Sequence, residues 1–519
     1  MKRLNFYLSL LLLFLVTAFA TITFNDAHVL AQDNSQNQVK RWVVIFHQQN
    51  DLPSGVDQRV AAAGGTISAQ LPEVGAIVAS SSNPNFAADM ASDPSVSDVG
   101  EDILVQMIPT PEQLKAQSAD DLNASGDGPV EPPGSDAQTG PDPFYNAFQW
   151  DKKRMRASNQ GSYAVQQGRP DVVVAVLDTG AQILPNPHPD IAPNLDFARS
   201  RSFFPVNSPN GNPNPVAWDD RNGHGSWCLS AVGAPINGIG MSGVAPRVRL
   251  VALKVLGDNG SGSFVSLAQA LIYAGVNKFD VASMSLGGYL RHADQNSHAL
   301  IKLVQRAVNF ARSNGVTPVA ALSNESFNVS DGSFFHDFMV VPAEIDGVIG
   351  VSATGYFNLK ASYSNYGVGK TDVSAPGGDF AVQTPSSNFP GLGSVLGAWA
   401  PDNAALPGAQ YVFASGTSMA CPNAAGVCAL IISQYGDFTP DNSRKPHMSP
   451  QAVESILQQT ANNQPCPEPR EVTYFLISPP FPPNTQAPNT LANQRCQGDA
   501  GYNNFYGKGI VDALKAVTK

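Results

Sequence analysis

A doubly wound α/β domain, with a parallel sheet covered by helices on both faces, is predicted for residues 144–519, and a small α+β domain for 38–107. Two observations carry the larger domain. Asp171-Val172-Val173-Val174-Ala175-Val176-Leu177 is an almost continuous apolar, β-branched run, and Leu250 to Val255, Val281 to Ser285 and Val316 to Leu322 repeat it. Strands apolar at every position belong to parallel sheets buried on both faces, whereas half-exposed strands alternate. Helical stretches, Leu267 to Val276 and Ala299 to Ser313 among them, separate these runs, as the crossovers of a parallel sheet require. In such a sheet the functional groups are expected at the carboxyl ends of the strands.

The smaller domain follows from five short elements. Arg41 to Phe46 reads as a strand, Val56 to Ala63 as a helix closed by Gly64-Gly65, and Val74 to Ala79 as a strand. Phe86 to Ala91 reads as a short helix and Val96 to Met107 as a last strand region, so a sheet with its helices on one face is expected. Pro, Gly, Asp and Ser dominate the next stretch, and Asp127 to Asp142 has no apolar period. Residues 108–143 are therefore expected to form an exposed linker, where proteases cut.

Composition bounds the function. The 519 residues are 43% apolar and 14% charged, with 45 Gly and 41 Pro, a globular, loop-rich balance. The net charge of −11 argues against nucleic acid or an anionic membrane as partner, and a monomer is expected. Lys2 and Arg3 precede an apolar run, Leu8 to Ala20, the pattern of a secretory signal peptide. Ala18-Phe19-Ala20 and Val29-Leu30-Ala31 both suit cleavage; the second removes residues 1–31. The run is near the lower length limit for spanning a bilayer, so an uncleaved anchor is the alternative to a secreted, extracellular protein. Of five cysteines, one is left over unless chains are cross-linked. Cys466 and Cys496 flank a Pro- and Asn-rich insertion and are the expected disulfide. Cys421 and Cys428 sit seven apart on one expected helix, about 10 Å and too far to bridge.

Three local signatures carry chemistry. Asp178 ends the first core strand in Asp178-Thr179-Gly180, His224 opens a helical run in Asn222-Gly223-His224-Gly225-Ser226, and Ser418 opens another in Gly416-Thr417-Ser418-Met419-Ala420. Peptide-bond hydrolysis by a hydroxyl needs an imidazole to move its proton and a carboxylate to hold the imidazole's tautomer. Singly, these signatures read as a turn, a helix start and an N-cap; their order, Asp then His then Ser, is what gives them meaning together. The Gly-x-Ser-x-Gly elbow of ester and lipid hydrolases is absent at Ser418.

With Ser283-Met284-Ser285-Leu286-Gly287-Gly288, Ser374-Ala375-Pro376-Gly377 and Tyr506-Gly507-Lys508-Gly509-Ile510-Val511, the chain resembles the subtilisin-like serine peptidases from about Gln149 to Lys519. The resemblance implies a serine endopeptidase acting on proteins or peptides, with Asp178, His224 and Ser418 as catalytic triad and no cofactor required for catalysis. It implies Asn324 as oxyanion donor beside the Ser418 backbone N–H. It also implies that Gly260-Ser261-Gly262 and Ser285-Leu286-Gly287 are the edges between which an extended substrate lies. The S1 pocket would fall between Ser285-Leu286-Gly287 and Ala321-Leu322-Ser323, with Ser323 where the family usually has glycine. Segment 38–107 looks like the family's inhibitory propeptide, which makes the precursor a self-processing zymogen held by its own segment. Cys228, four residues after His224, resembles the thiol of the proteinase K branch; whether it pairs with Cys421 stays open. Calcium is common in the family, and Asp219, Asp220 and Asn222 offer oxygen ligands for a structural ion. A solvated acidic turn, or a wall of the second subsite, are the alternatives.

Overall fold

The computed structural model describes residues 39–114, 116–119, 138–205, 217–330, 337–379, 383, 393–439, 447–476 and 490–519. The expected signal peptide, 1–31, lies outside them. The small domain contains β1 (Lys40–Phe46), α1 (Val56–Ala62), β2 (Gly65–Leu71), β3 (Ala76–Ser81), α2 (Phe86–Ala91) and β4 (Val96–Glu101). They form an antiparallel sheet in the order β2-β3-β1-β4. Strand β2 is the element that the sequence reading missed. One side of Gly65–Leu71 is exposed at Thr66, Ser68 and Gln70, which dilutes the β-branched signal of an edge strand. Alternate residues of β1 divide between two cores: Val44 and Phe46 pack under α1 and α2 with Val60, Phe86 and Met90, while Val43 and Ile45 face the larger domain.

The chain continues through β5 (Val105–Gln106), β6 (Gln117–Ser118), α3 (Pro143–Phe148) and α4 (Trp150–Arg154). The large domain then runs β7 (Val173–Asp178), β8 (Arg201–Ser202), α5 (His224–Gly233), β9 (Arg249–Lys254), β10 (Ser261–Gly262), α6 (Phe264–Val276), β11 (Val281–Met284) and β12 (Gly288–Arg291). After these come α7 (Gln295–Ser313), β13 (Thr317–Ala321), β14 (Phe338–Val341), β15 (Ile349–Thr354), β16 (Val373–Pro376), β17 (Val395–Ala398), β18 (Tyr411–Ala414), α8 (Thr417–Tyr435) and α9 (Pro450–Thr460). A hairpin, β19 (Glu471–Leu476) and β20 (Thr490–Arg495), and a last helix, α10 (Ala513–Val517), complete it. The main sheet is parallel in the order β16-β15-β13-β11-β7-β9-β8, the doubly wound α/β fold expected. Side chains of β7 alternate: Val174 and Val176 share a core with α5 and α8, and Val173, Ala175 and Leu177 share one with α6 and α7. Both faces are covered, which is why the strand reads as an unbroken apolar run. Strands lie on both sides of β7, so its carboxyl end, Asp178, sits at the switch point of the sheet.

Helix α7 carries the small domain. Arg306 donates to the Phe46 and Val74 carbonyls at 2.9 Å each, Lys302 reaches Asp98 at 2.7 Å, and His298 Nδ1 lies 2.9 Å from the same carboxylate. The chain leaving that domain does not become an exposed linker at residue 108. Ile108, Leu114 and Ala119 are all buried. Backbone pairing holds this stretch: β5 pairs with β10, β6 pairs with β18, and residues 110–114 form a turn closed by the Leu114 N–H on the Thr110 carbonyl. Polar composition hid this, because main-chain pairing needs no apolar period.

Candidate active site

His224 is placed by the sharp entry into α5. Gly223 has φ 97°, and a Cβ there would lie 2.3 Å from the Trp399 ring; a Cβ on Gly225 would lie 2.3 Å from the Gly180 carbonyl. Both neighbours of His224 must be glycine for the helix to start against the end of β7. Buried Asp220 caps that start, accepting from the backbone of Asn222, Gly223 and Ser226 at 2.8–2.9 Å and from the Ser226 hydroxyl at 2.8 Å. His224 Nδ1 then meets Asp178 Oδ1 at 2.8 Å, both side chains fully buried, and the Thr179 N–H also donates to that oxygen at 2.7 Å. Nε2 of His224 has no hydrogen-bond partner among the described residues. That nitrogen is available to take a proton.

Ser418 lies in the first turn of α8, buried at 3% exposure. Its hydroxyl donates to the Ser285 carbonyl at 3.2 Å, beyond the usual O–H···O range, so rotation about one bond towards an imidazole costs little. Four residues on, Pro422 has no N–H to offer the Ser418 carbonyl, the bond an α-helix would make there. The Cys228 thiol lies 3.7 Å from that carbonyl and 3.9 Å from His224 Nδ1. Burial, and then the Asp178 carboxylate, push this thiol well above its usual range, so it stays protonated and can serve as a weak donor. Cys228, Cys421 and Cys428 are all free and buried. The Cys228–Cys421 pairing left open above is therefore not made, while Cys466–Cys496 is a disulfide.

Asn324 accepts from the Thr417 N–H at 2.8 Å and from the Thr417 hydroxyl at 3.0 Å, both through Oδ1. This fixes which way the amide faces, and Nδ2 makes no hydrogen bond among the described residues. The next residue, Glu325, is buried at 5% exposure and gathers donors: Ser323 Oγ at 3.0 Å, Asn365 Nδ2 at 2.9 Å, the Asn324 N–H at 3.0 Å and the Tyr289 hydroxyl. Burial raises its carboxyl above the ordinary carboxylate range, against these four donors. Ser323 holds φ 77°, a left-handed conformation uncommon outside glycine, and its bond to Glu325 offsets part of that strain. The disulfide-closed hairpin reaches this loop through Ser362: Gln494 Nε2 donates to the Ser362 carbonyl at 3.0 Å, and the Ser326 hydroxyl donates to the same carbonyl at 2.7 Å. Tyr289, Glu325, Asn365 and Thr417 are the contributors that the sequence reading missed. Thr417 was inside a quoted signature, but Tyr289 and Asn365 carry no local pattern.

The two expected cleft edges come together around β5. Ser261 and Gly262 pair with Gln106 and Val105, the Gly260 carbonyl accepts from the Met107 N–H at 3.1 Å, and the Gly287 N–H donates to the Met107 carbonyl at 2.9 Å. Ser285 and Leu286 are buried beside it, and Ala321 closes β13 at 3% exposure. An extended chain thus lies between 260–262 and 285–287. Asp219 and Asp220, the candidate calcium ligands, accept backbone N–H donors. Besides the capping of α5 by Asp220, Asp219 Oδ1 accepts the Ile183 and Leu184 N–H groups at 2.9 and 3.0 Å, and its other oxygen lies 3.8 Å from Arg221.

Subtilisin Savinase of Lederbergia lenta is 38% identical over 260 residues, covering 50% of this chain and 76% of that protein. M-protease of Shouchella clausii is also 38% identical over 260 residues, covering 50% of this chain but 53% of that protein, so the match spans about half of its length. A solved structure of the epidermin leader peptide processing serine protease of Staphylococcus aureus aligns with 93% of this chain and 98% of its own, at TM-score 0.65 and 19% identity; that likeness is one of fold. The profile of the subtilase family matches residues 169–509, a stretch that includes the carboxylate–imidazole pair, the serine at the start of α8 and both cleft edges. The chain belongs to the subtilase family of serine peptidases.

Proposed function

We propose that the protein is a secreted serine endopeptidase, made as a precursor that cuts itself and is inhibited by residues 38–107. The observation that carries this reading is the strand Val105-Gln106-Met107, hydrogen-bonded on one side to 260–262 and on the other to Gly287, two residues from the Ser285 carbonyl that Ser418 Oγ reaches. A substrate would add to the same edges by main-chain bonds, leaving specificity to side-chain pockets. Ser418 Oγ attacks the carbonyl carbon of the scissile bond while His224 Nε2 takes its proton; Asp178 holds Nδ1–H and stabilises the imidazolium. The oxyanion accepts from Asn324 Nδ2 and the Ser418 N–H. The C–N bond then breaks, the amine leaves with the proton from His224, and water releases the acyl group by the reverse sequence. Lys2 and Arg3 ahead of the Leu8 to Ala20 run support export.

A fluorophosphonate probe tests the reading. It should label Ser418 in the mature protein and lose its target in Ser418→Ala, and the mature protein should hydrolyse casein. No labelling, or ester cleavage without casein cleavage, would overturn it.

Two further expectations arise here. Ser323 stands at the wall of the proposed S1 pocket, so small or medium P1 residues should be preferred over Phe or Tyr. Ser323→Gly removes a hydroxymethyl group and suits φ 77°, so the fold should tolerate it. Relative kcat/KM on aromatic P1 substrates should rise by about 10-fold or more, the scale of one small group in a tight pocket. An unchanged Phe/Ala ratio would remove Ser323 from the pocket. For Cys228, a small mercurial should inhibit by displacing the adjacent imidazole, while bulky alkylating agents react slowly with a buried thiol. Cys228→Ala should stay active and become insensitive; persistent sensitivity would move the target to Cys421.

A further inference from the structure

The chain that fills one half of the cleft does not stop there. Beyond the turn at 110–114, the Ser415 N–H donates to the Leu114 carbonyl at 3.0 Å, and Gln117 and Ser118 pair antiparallel with Phe413 and Val412. The Ala119 N–H then donates to the Tyr411 carbonyl at 2.8 Å. Strand β18 runs directly into Ser415-Gly416-Thr417-Ser418, and the residues paired with it follow Met107 along the chain, as the leaving-group side of a substrate follows the acyl side. It is a packed contact. Leu114, 2% exposed, lies with its Cδ2 3.1 Å from where a Gly416 Cβ would be, and Ala119 is buried with Phe148, Met241, Leu396 and Phe413. With β6 in place β18 is the middle strand of three; without it, β18 has an open edge.

We propose that Leu114 and the segment 116–119, seated on the edge of β18, act in the precursor as a second inhibitory strand on the leaving-group side of the cleft. A cut between Met107 and Leu114 leaves the two occupants on different pieces. Val105 to Met107 departs with the small domain, but 114–119 stays covalently joined to the catalytic domain and remains at the high effective concentration of a tethered segment. Loss of the small domain therefore does not by itself open the whole cleft. Full activity requires the amino terminus to move beyond Ala119. This inference rests on the self-processing reading above, and adds to it a second, distinct step.

The test follows the amino terminus and the activity of the maturing wild-type protein together, using two substrates. One is an internally quenched peptide with several residues on both sides of the scissile bond; the other is a peptide p-nitroanilide, with none on the leaving side. While the terminus lies between 108 and 114, KM for the quenched peptide should be at least about tenfold above its final value. The p-nitroanilide should change far less, and both should reach their final values when the terminus passes 119. Leu114→Asp and Gln117→Pro should each abolish the lag. A synthetic peptide of residues 112–119 should compete with the quenched substrate on fully matured enzyme, and its Leu114→Asp version should bind at least about tenfold more weakly, since that position is buried. First-cut protein that is already fully active on both substrates, or a 112–119 peptide without effect at millimolar concentration, would overturn the second strand. A precursor that never cuts itself would instead overturn the self-processing reading, and the peptide experiment would still decide the fate of the strand.

Discussion

Ser418→Ala should lower kcat by about 10⁶-fold, the size found on removing the same group from a subtilisin, and should accumulate as soluble, uncut precursor. The residual rate reflects the oxyanion donors and substrate binding, which the substitution leaves in place. Folding should be nearly untouched, for a reason visible in the site. The hydroxyl makes one long bond, 3.2 Å to the Ser285 carbonyl, worth at most about 0.5–1.5 kcal/mol. Alanine is also the better helix former in the first turn of α8. The small domain should remain attached through 105–119, since both halves of that segment bind by main-chain bonds that do not involve Ser418 Oγ. Circular dichroism, thermal unfolding and the mass of the purified protein check each part. Added wild-type enzyme should convert the mutant to the mature form. If Ser418→Ala, made in a protease-deficient host, reached the wild-type amino terminus unaided, self-processing would be wrong and an external protease would be required.

How much of this was legible in the sequence depends on the kind of interaction. Strand β7 was plain, because burial on both faces forces an apolar residue at every position from Val173 to Leu177. The residues around His224 were plain for a steric reason: the Trp399 ring and the Gly180 carbonyl admit no side chain at 223 or 225. What stayed hidden was held by the backbone or assembled from afar. Residues 108–114 and 116–119 are held largely through main-chain groups, to which composition is blind, and their polar content read as linker. Glu325 is buried. Its burial depends on Tyr289 and Asn365, 36 and 40 positions away, and no local pattern reports such a meeting. The roles of Asp219 and Asp220 stayed open for a related reason: a carboxylate-rich loop has the same composition whether its oxygens face an ion, water or backbone N–H groups such as those they accept here.

Asn324→Ala should lower kcat by about 10²–10³-fold while leaving KM nearly unchanged, the loss expected for one oxyanion donor. The split between the two constants is the informative part. A ground-state carbonyl gains little from Nδ2, whereas the tetrahedral oxygen carries a full charge, so the contribution appears almost entirely in the transition state. The size of the loss depends on how firmly the amide is held beforehand. Thr417 fixes Oδ1 with two donors, at 2.8 and 3.0 Å, so little reorganisation is needed as the charge develops. Thr417→Val keeps the backbone donor and removes the hydroxyl, and should therefore cost about tenfold or less in kcat. Asn324→Asp is the sharper control. It keeps the acceptor for the Thr417 N–H, loses the donor, and sets a negative charge beside the developing one, so its activity should fall at or below that of Asn324→Ala. Because the first intramolecular cut forms the same oxyanion, precursor of both variants should persist longer than wild type and yet, unlike Ser418→Ala, mature in the end. A kcat for Asn324→Ala within threefold of wild type would remove Asn324 from the oxyanion site and leave its bond to Thr417 as support for the start of α8.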